Sequence, residues 1–191
     1  MDDVRKRSAP GPRLGASDRR ADLHPAPPSA DDPRLTTWRA FLYAQSTVLP
    51  RLDSELREAT GLTLAEFDAL AQLAFARERR LRMSQLADRV LLSRSGVTRL
   101  VDRLVRDGLV RRDTCAPDGR GAYAVLTDQG AERVRAAMPL HLAAVDAHFL
   151  GHLDPGELAA VASGLERIAD ANGRAVPSPE VSATAIRRLD D

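Results

Sequence analysis

The hydrophobic period of this chain changes at Gly108, and that change limits what it can fold into. Before it, Val97, Leu100, Val101, Leu104 and Val105 recur at i, i+3, i+4, i+7 and i+8, the apolar face of an amphipathic helix. Ser93 supplies a good N-cap for that helix, and Gly108 stands where a helix C-terminus wants glycine. After it, Leu109-Val110-Arg111-Arg112 and Ala122 to Leu126 read as two short strands. The stretch between them, within DTCAPDGRGAYAVLT at 113–127, holds Pro117, Gly119 and Gly121, with Arg120 between the glycines. A strand follows these glycines, and no lysine accompanies them. They therefore make a hairpin turn rather than a phosphate-cradling loop.

The flanking segments are helical. Trp38, Phe41, Leu42, Gln45, Leu49, Leu52 and Leu56 fall at helical spacing in a first helix from Thr37 to Ala59, with a kink expected at Pro50 and an end at Gly61. Thr63 and Glu66 form a capping box for a second, whose Leu64, Phe67, Leu70, Ala71 and Ala74 face inward. A basic break, Arg77 to Arg82, precedes a third helix near Ser84 to Leu91. Beyond the hairpin, Thr127 or Asp128 caps a long fifth helix over 128–150, with a kink expected at Pro139. Asp154-Pro155-x-Glu157 starts a sixth, which ends near Gly173. The order is four helices, a hairpin and two helices. The fold class is mostly α with a small β-hairpin wing (α+β), a winged helix-turn-helix.

On the fourth helix, the face opposite the apolar stripe carries Ser95, Arg99, Asp102 and Arg106, flanked by Thr98 and Arg103. Short hydroxyls near a helix N-terminus and arginines throughout suit a helix lying in the DNA major groove. A solvated polar face with an ordinary Asp102–Arg106 pair is the plain alternative. The combination of short helix, tight turn, basic helix, glycine stop and arginine-bearing hairpin favours DNA.

Composition agrees without deciding. The chain has 191 residues and a net charge of +1, but from Arg77 to Arg120 twelve arginines face six acids. Lys6 is the only lysine, and arginine's planar fork suits phosphates and base edges. No apolar run approaches the roughly 18 residues of a membrane span, and the N-terminus has no signal-like apolar segment. A single cysteine, Cys115, fits a reducing cytoplasm. Residues 1–33, with six prolines and the cluster Arg5-Lys6-Arg7, read as a disordered basic tail, and 173–191 as a flexible C-terminal tail. An enzyme is not expected: there is no Gly-x-Ser-x-Gly, no Gly-Lys-Ser/Thr phosphate loop and no His/Cys metal spacing. Neither a cofactor nor a metal is expected.

The segment LRMSQLADRVLLSRSGVTRLVDRLVRDGLVRRDTCAPDGRGAYAVLTDQG resembles the MarR family of winged-helix transcription regulators. SQLAD, SRSGVTRLVDRL as recognition helix, GLVRR entering the hairpin, the Asp-x-Arg of Asp118 and Arg120, and LTDQG opening the next helix carry the resemblance, which covers about 37–172 with its helix order. It implies one domain over 34–172. Within it, 62–127 would form the DNA-binding lobe, while 34–60 and 128–172 pair two chains as a homodimer. It also implies a palindromic operator on double-stranded DNA. Ser93, Arg94, Ser95, Thr98, Arg99 and Arg103 would meet bases and phosphates, and Arg120, oriented by Asp118, would enter the minor groove. Two-fold symmetry places the half-sites about one helical turn, roughly 10 bp, apart. Gly119 departs from the basic residue often found between that Asp and Arg.

The resemblance further implies a small aromatic or phenolic effector that releases a repressor from its operator. Trp38, Phe41, Phe67, Asp68 and His141 are the candidate contacts, with simple core packing as the alternative. Val134, Met138, His141, Val145, His148 and His152 form a heptad seam, on which histidines could also pack, bind metal or titrate. Cys115 on the wing offers a redox alternative, without a partner cysteine in the chain. A ligand-independent architectural DNA binder is the remaining reading.

Overall fold

A computed structural model describes residues 28–90, 92, 94–114 and 122–173. Its helices are α1 (Leu35–Thr60), α2 (Leu64–Phe75), α3 (Met83–Arg89), α4 (Arg94–Arg106), α5 (Asp128–His148) and α6 (Pro155–Ala171). Its strands are β1 (Arg80–Arg82), β2 (Val110–Thr114) and β3 (Ala122–Leu126). By packing, the chain falls into two units, Met1–Tyr43 and Ala44–Asp191. In the first, the exposed rings of Trp38 and Phe41 stack with centroids 5.8 Å apart. The second holds all three strands and the core.

The caps read at Thr63, Thr127 and Asp154 are present, while the one read at Ser93 lies outside the described residues. Thr63 Oγ1 accepts from the Glu66 amide at 3.2 Å, and Glu66 Oε2 accepts from the Thr63 amide at 3.0 Å, closing the box on α2. Asp53 Oδ1 of α1 accepts from the Leu64 amide at 2.8 Å, satisfying another donor of that N-terminus. Asp154 Oδ1 takes the amides of Gly156 and Glu157 to start α6, with Pro155 in the first turn. Pro50 and Pro139 lie inside α1 and α5, and neither ends its helix.

The hairpin is one part of a three-stranded antiparallel sheet with order β1-β3-β2. The sequence suggests only a break over Arg77 to Arg82. Instead, Arg80 and Arg82 pair with Val125 and Tyr123 of β3, making β1 an edge strand. The chain enters it through a 3₁₀ turn at Arg77–Arg79, in which Glu78 and Arg79 hold φ of 57° and 52°. Two consecutive non-glycine residues in the left-handed region carry strain of the order of 1–2 kcal/mol each, which the sheet pairing must offset.

The core of this unit lies between the sheet and helices α2 to α5. Leu70 and Leu73, Leu86, Val97, Leu100, Val101 and Leu104, Val110 and Val134 are fully buried within it. Of the apolar row proposed for α1, Leu52 and Leu56 are buried, while Trp38, Phe41, Leu42 and Leu49 are exposed. In α6 no residue is buried.

Thr127 ties the sheet to α5. Its hydroxyl lies 2.8 Å from the Gly108 carbonyl oxygen and 3.0 Å from that of Leu109, and it also accepts from the Gly130 amide at 3.0 Å, capping the helix. Gly108 has φ +72°, the left-handed stop that glycine takes without a Cβ clash. Gly130 is required for another reason: a Cβ there would stand 2.2 Å from the Leu109 carbonyl oxygen.

Candidate nucleic-acid interface

Helix α4 presents two chemically distinct faces. Val97, Leu100, Val101 and Leu104 are almost wholly buried, which fixes the helix's rotation. Ser95, Thr98, Arg99, Asp102, Arg103 and Arg106 are therefore turned outward and exposed. Val105, which the spacing placed inward, sits at the margin of the apolar stripe and is 36% exposed. Before α4, helix α3 ends at Arg89, with Val90 buried and Leu92 exposed in the turn between them.

Two ion pairs hold α4 against its neighbours. Asp102 Oδ1 meets Arg112 Nη2 of β2 at 2.8 Å, instead of pairing with Arg106 one turn along its own helix. Arg103 Nε donates to Glu66 Oε1 at 3.2 Å, so the guanidinium that the sequence assigned to DNA lies on the cap of α2. Burial pushes the Glu66 carboxyl up, but its bonds from Thr63 and the charge of Arg103 together hold it below the usual carboxylate range. Glu66 thus serves two helices at once. Sequence reasoning found its capping role; the link to Arg103, 37 residues away, needed the fold.

Several of the residues proposed to meet DNA, Ser93, Asp118 and Arg120, lie outside the described residues, as does Cys115. Arg94 occupies the first position of α4.

This arrangement, a buried-backed basic helix following a short helix and preceding an antiparallel hairpin, is shared with known proteins. The MarR family model matches residues 60–121. A solved structure of Sco3205, a MarR family transcriptional regulator from Streptomyces coelicolor in complex with DNA, is 31% identical. It superposes with a TM-score of 0.72, over 78% of this chain and 92% of that one. The chain belongs to the MarR family. Among Bacillus subtilis relatives, the HTH-type transcriptional regulator YkoM is 31% identical over 123 residues, 64% of this chain and 77% of YkoM. The HTH-type transcriptional repressor YetL is 33% identical over 87 residues, 46% of this chain and 52% of YetL. This MarR-family chain is accordingly a DNA-binding transcriptional regulator, and these relatives are regulators rather than enzymes.

The candidate effector contacts of this MarR-family chain are placed as follows. Phe67 of α2 is buried, and its ring lies 4.6 Å from that of His141 on α5, tilted by 42°. His141 Nδ1 is buried with no hydrogen-bond partner among the described residues, and burial pushes the imidazole below its ordinary range. Asp68 is half-buried, with Gln72 Nε2 at 3.4 Å from its Oδ1. Trp38 and Phe41 belong to the first unit. The histidine seam does not converge. His148 Nε2 lies 2.6 Å from Glu55 Oε1 of α1, His141 lies against Phe67, and His152 is exposed in the turn after α5.

Proposed function

We propose that this regulator acts as a homodimeric repressor, released from a palindromic operator by a small aromatic or phenolic ligand. The observation that carries its DNA contact is the exposed row Ser95, Thr98 and Arg99 on a helix whose opposite face is locked into the core. A helix so fixed presents the same few side chains at every encounter, which base readout in the major groove demands. In this reading Ser93, Arg94, Ser95, Thr98 and Arg99 meet base edges and phosphates. Arg120 enters the minor groove, with Asp118 orienting it. Arg103 acts mainly by holding α4 to Glu66.

Repression is supported by the similarity to YetL, a named repressor. Effector control is supported by the Phe67–His141 pair, where a buried aromatic lies beside a ring nitrogen with no partner among the described residues. Phe67, Asp68 and His141 are our candidates for effector contact within the second unit. We place the action in the cytoplasm, with the DNA target.

Genome-wide occupancy followed by footprinting tests the reading. A defined two-fold footprint with half-sites about one helical turn apart is the expected result. Arg99→Ala and Arg120→Ala should each weaken binding to that site by about 1–3 kcal/mol at fixed salt. Diffuse coverage, or variants that bind as tightly as the parent, would show an architectural protein or a different reading surface. Release of the site by candidate phenols, abolished in His141→Phe, tests the effector.

A further inference from the structure

The segment Arg77-Glu78-Arg79-Arg80-Leu81-Arg82 belongs to neither α4 nor the hairpin, yet four of its six residues are arginines. Strand alternation turns Arg80 and Arg82 to one face of β1, while Leu81 between them is buried in the core. Both guanidinium groups lie over the ring of Tyr123 on β3, with centroid distances of 5.2 and 5.7 Å. Arg82 Nε also donates to the Tyr123 hydroxyl at 3.3 Å. Glu78 meets Arg80 at 2.6 Å and Asp128 meets Arg79 at 3.3 Å.

An aromatic face under a guanidinium restrains its plane while leaving N–H edges exposed. Two such groups side by side on a strand make a preorganised, sequence-blind receptor for phosphates. Tyr123 sits on the strand that returns from the wing, so the receptor shares the sheet that carries the hairpin. We propose that Arg80 and Arg82, stacked on Tyr123, form a second DNA-backbone contact beyond the recognition helix and wing tip. Its ligand is the phosphate backbone of duplex DNA beside the bases being read. The contact adds affinity and salt dependence but no sequence preference. The inference rests on the reading that α4 and the wing face DNA.

The test uses the full chain and mixed-sequence duplex DNA. Arginine-specific modification by phenylglyoxal, read by mass spectrometry with and without the duplex, should show Arg80 and Arg82 protected when DNA is bound. The double variant Arg80→Gln, Arg82→Gln should lower the slope of log affinity against log salt by about one for each phosphate no longer neutralised. Arg80→Lys, Arg82→Lys, which keeps the charge, should retain most of it. Protection is measured on the parent protein, so it decides the matter even if a variant folds poorly. Equal modification of both arginines with and without DNA overturns the proposal, leaving them as charges that guard an edge strand. Failure of the earlier reading looks different: there Arg99→Ala binds its operator as tightly as the parent, whatever happens at Arg80 and Arg82.

Discussion

Glu66 on α2 and His141 beside Phe67 of the same helix are both half-buried and ionisable, and the fold treats them differently. The Glu66 carboxylate accepts from the Thr63 amide and from Arg103 Nε, so its charge is held. His141 lies against an aromatic ring, its Nδ1 has no partner among the described residues, and burial favours its neutral form. The consequence has a definite sign. Burial lowers the His141 pKa in the folded chain, so on acidification the unfolded chain takes the proton first. Above the ordinary histidine value, about 6.5, the ring is neutral in both states and adds no pH dependence, and stability drains away as the pH falls through that value. The urea midpoint of the parent should decline from about pH 7 to about pH 5.5 more steeply than that of His141→Phe, which keeps a ring but cannot titrate. Equal slopes would show that His141 is not desolvated in solution.

At the scale of elements, the junction of α4, β2, β3 and α5 is where the chain leaves least freedom. Gly108 ends α4, Leu109 and Thr127 bridge the start of the hairpin to its end, and Gly130 lets α5 press against the Leu109 carbonyl. These contacts tie the N-terminus of α5 to the base of the hairpin. Gly130→Ala should destabilise the chain by about 1–3 kcal/mol in urea unfolding, because the added methyl overlaps backbone that cannot yield. A variant with unchanged stability would mean that the junction is looser than its 2.2 Å clearance indicates. The sequence made Gly108 legible through its position after the periodic run. It named Gly130 only as a letter of a familiar string; the overlap with Leu109 depends on two segments 21 residues apart meeting. The strand β1 escaped for a related reason. Three residues of alternating polarity are too few to announce a strand, and β3 supplies the pairing that makes them one.

For the whole molecule, the telling feature is the exposed apolar surface. Val161, Leu165 and Ile168 lie on one face of α6 at helical spacing and are 37%, 40% and 61% exposed, in a helix with no buried residue. A surface of this kind on a folded chain asks for a partner. The proposed homodimer supplies one. Ile168→Glu should therefore shift the chain from dimer to monomer in sedimentation at micromolar concentration, and abolish high-affinity operator binding with it. A variant that sediments as the parent would remove α6 from the pairing surface.

By itself the sequence determined the local quantities of this protein: most helix caps, the turn glycines, the two-faced helix α4 and the order of helices and hairpin. These follow from period, cap chemistry and backbone preference, each set within a few residues. The motifs around the recognition helix and wing were enough to name the family. Only the tertiary structure decided which charged groups are held and which stay exposed. It put Arg103 on Glu66, Asp102 on Arg112, and Arg80 and Arg82 over Tyr123. An arginine's role depends on which carboxylate or ring comes within a few ångströms of it, and here those partners stand between 10 and 43 residues away along the chain.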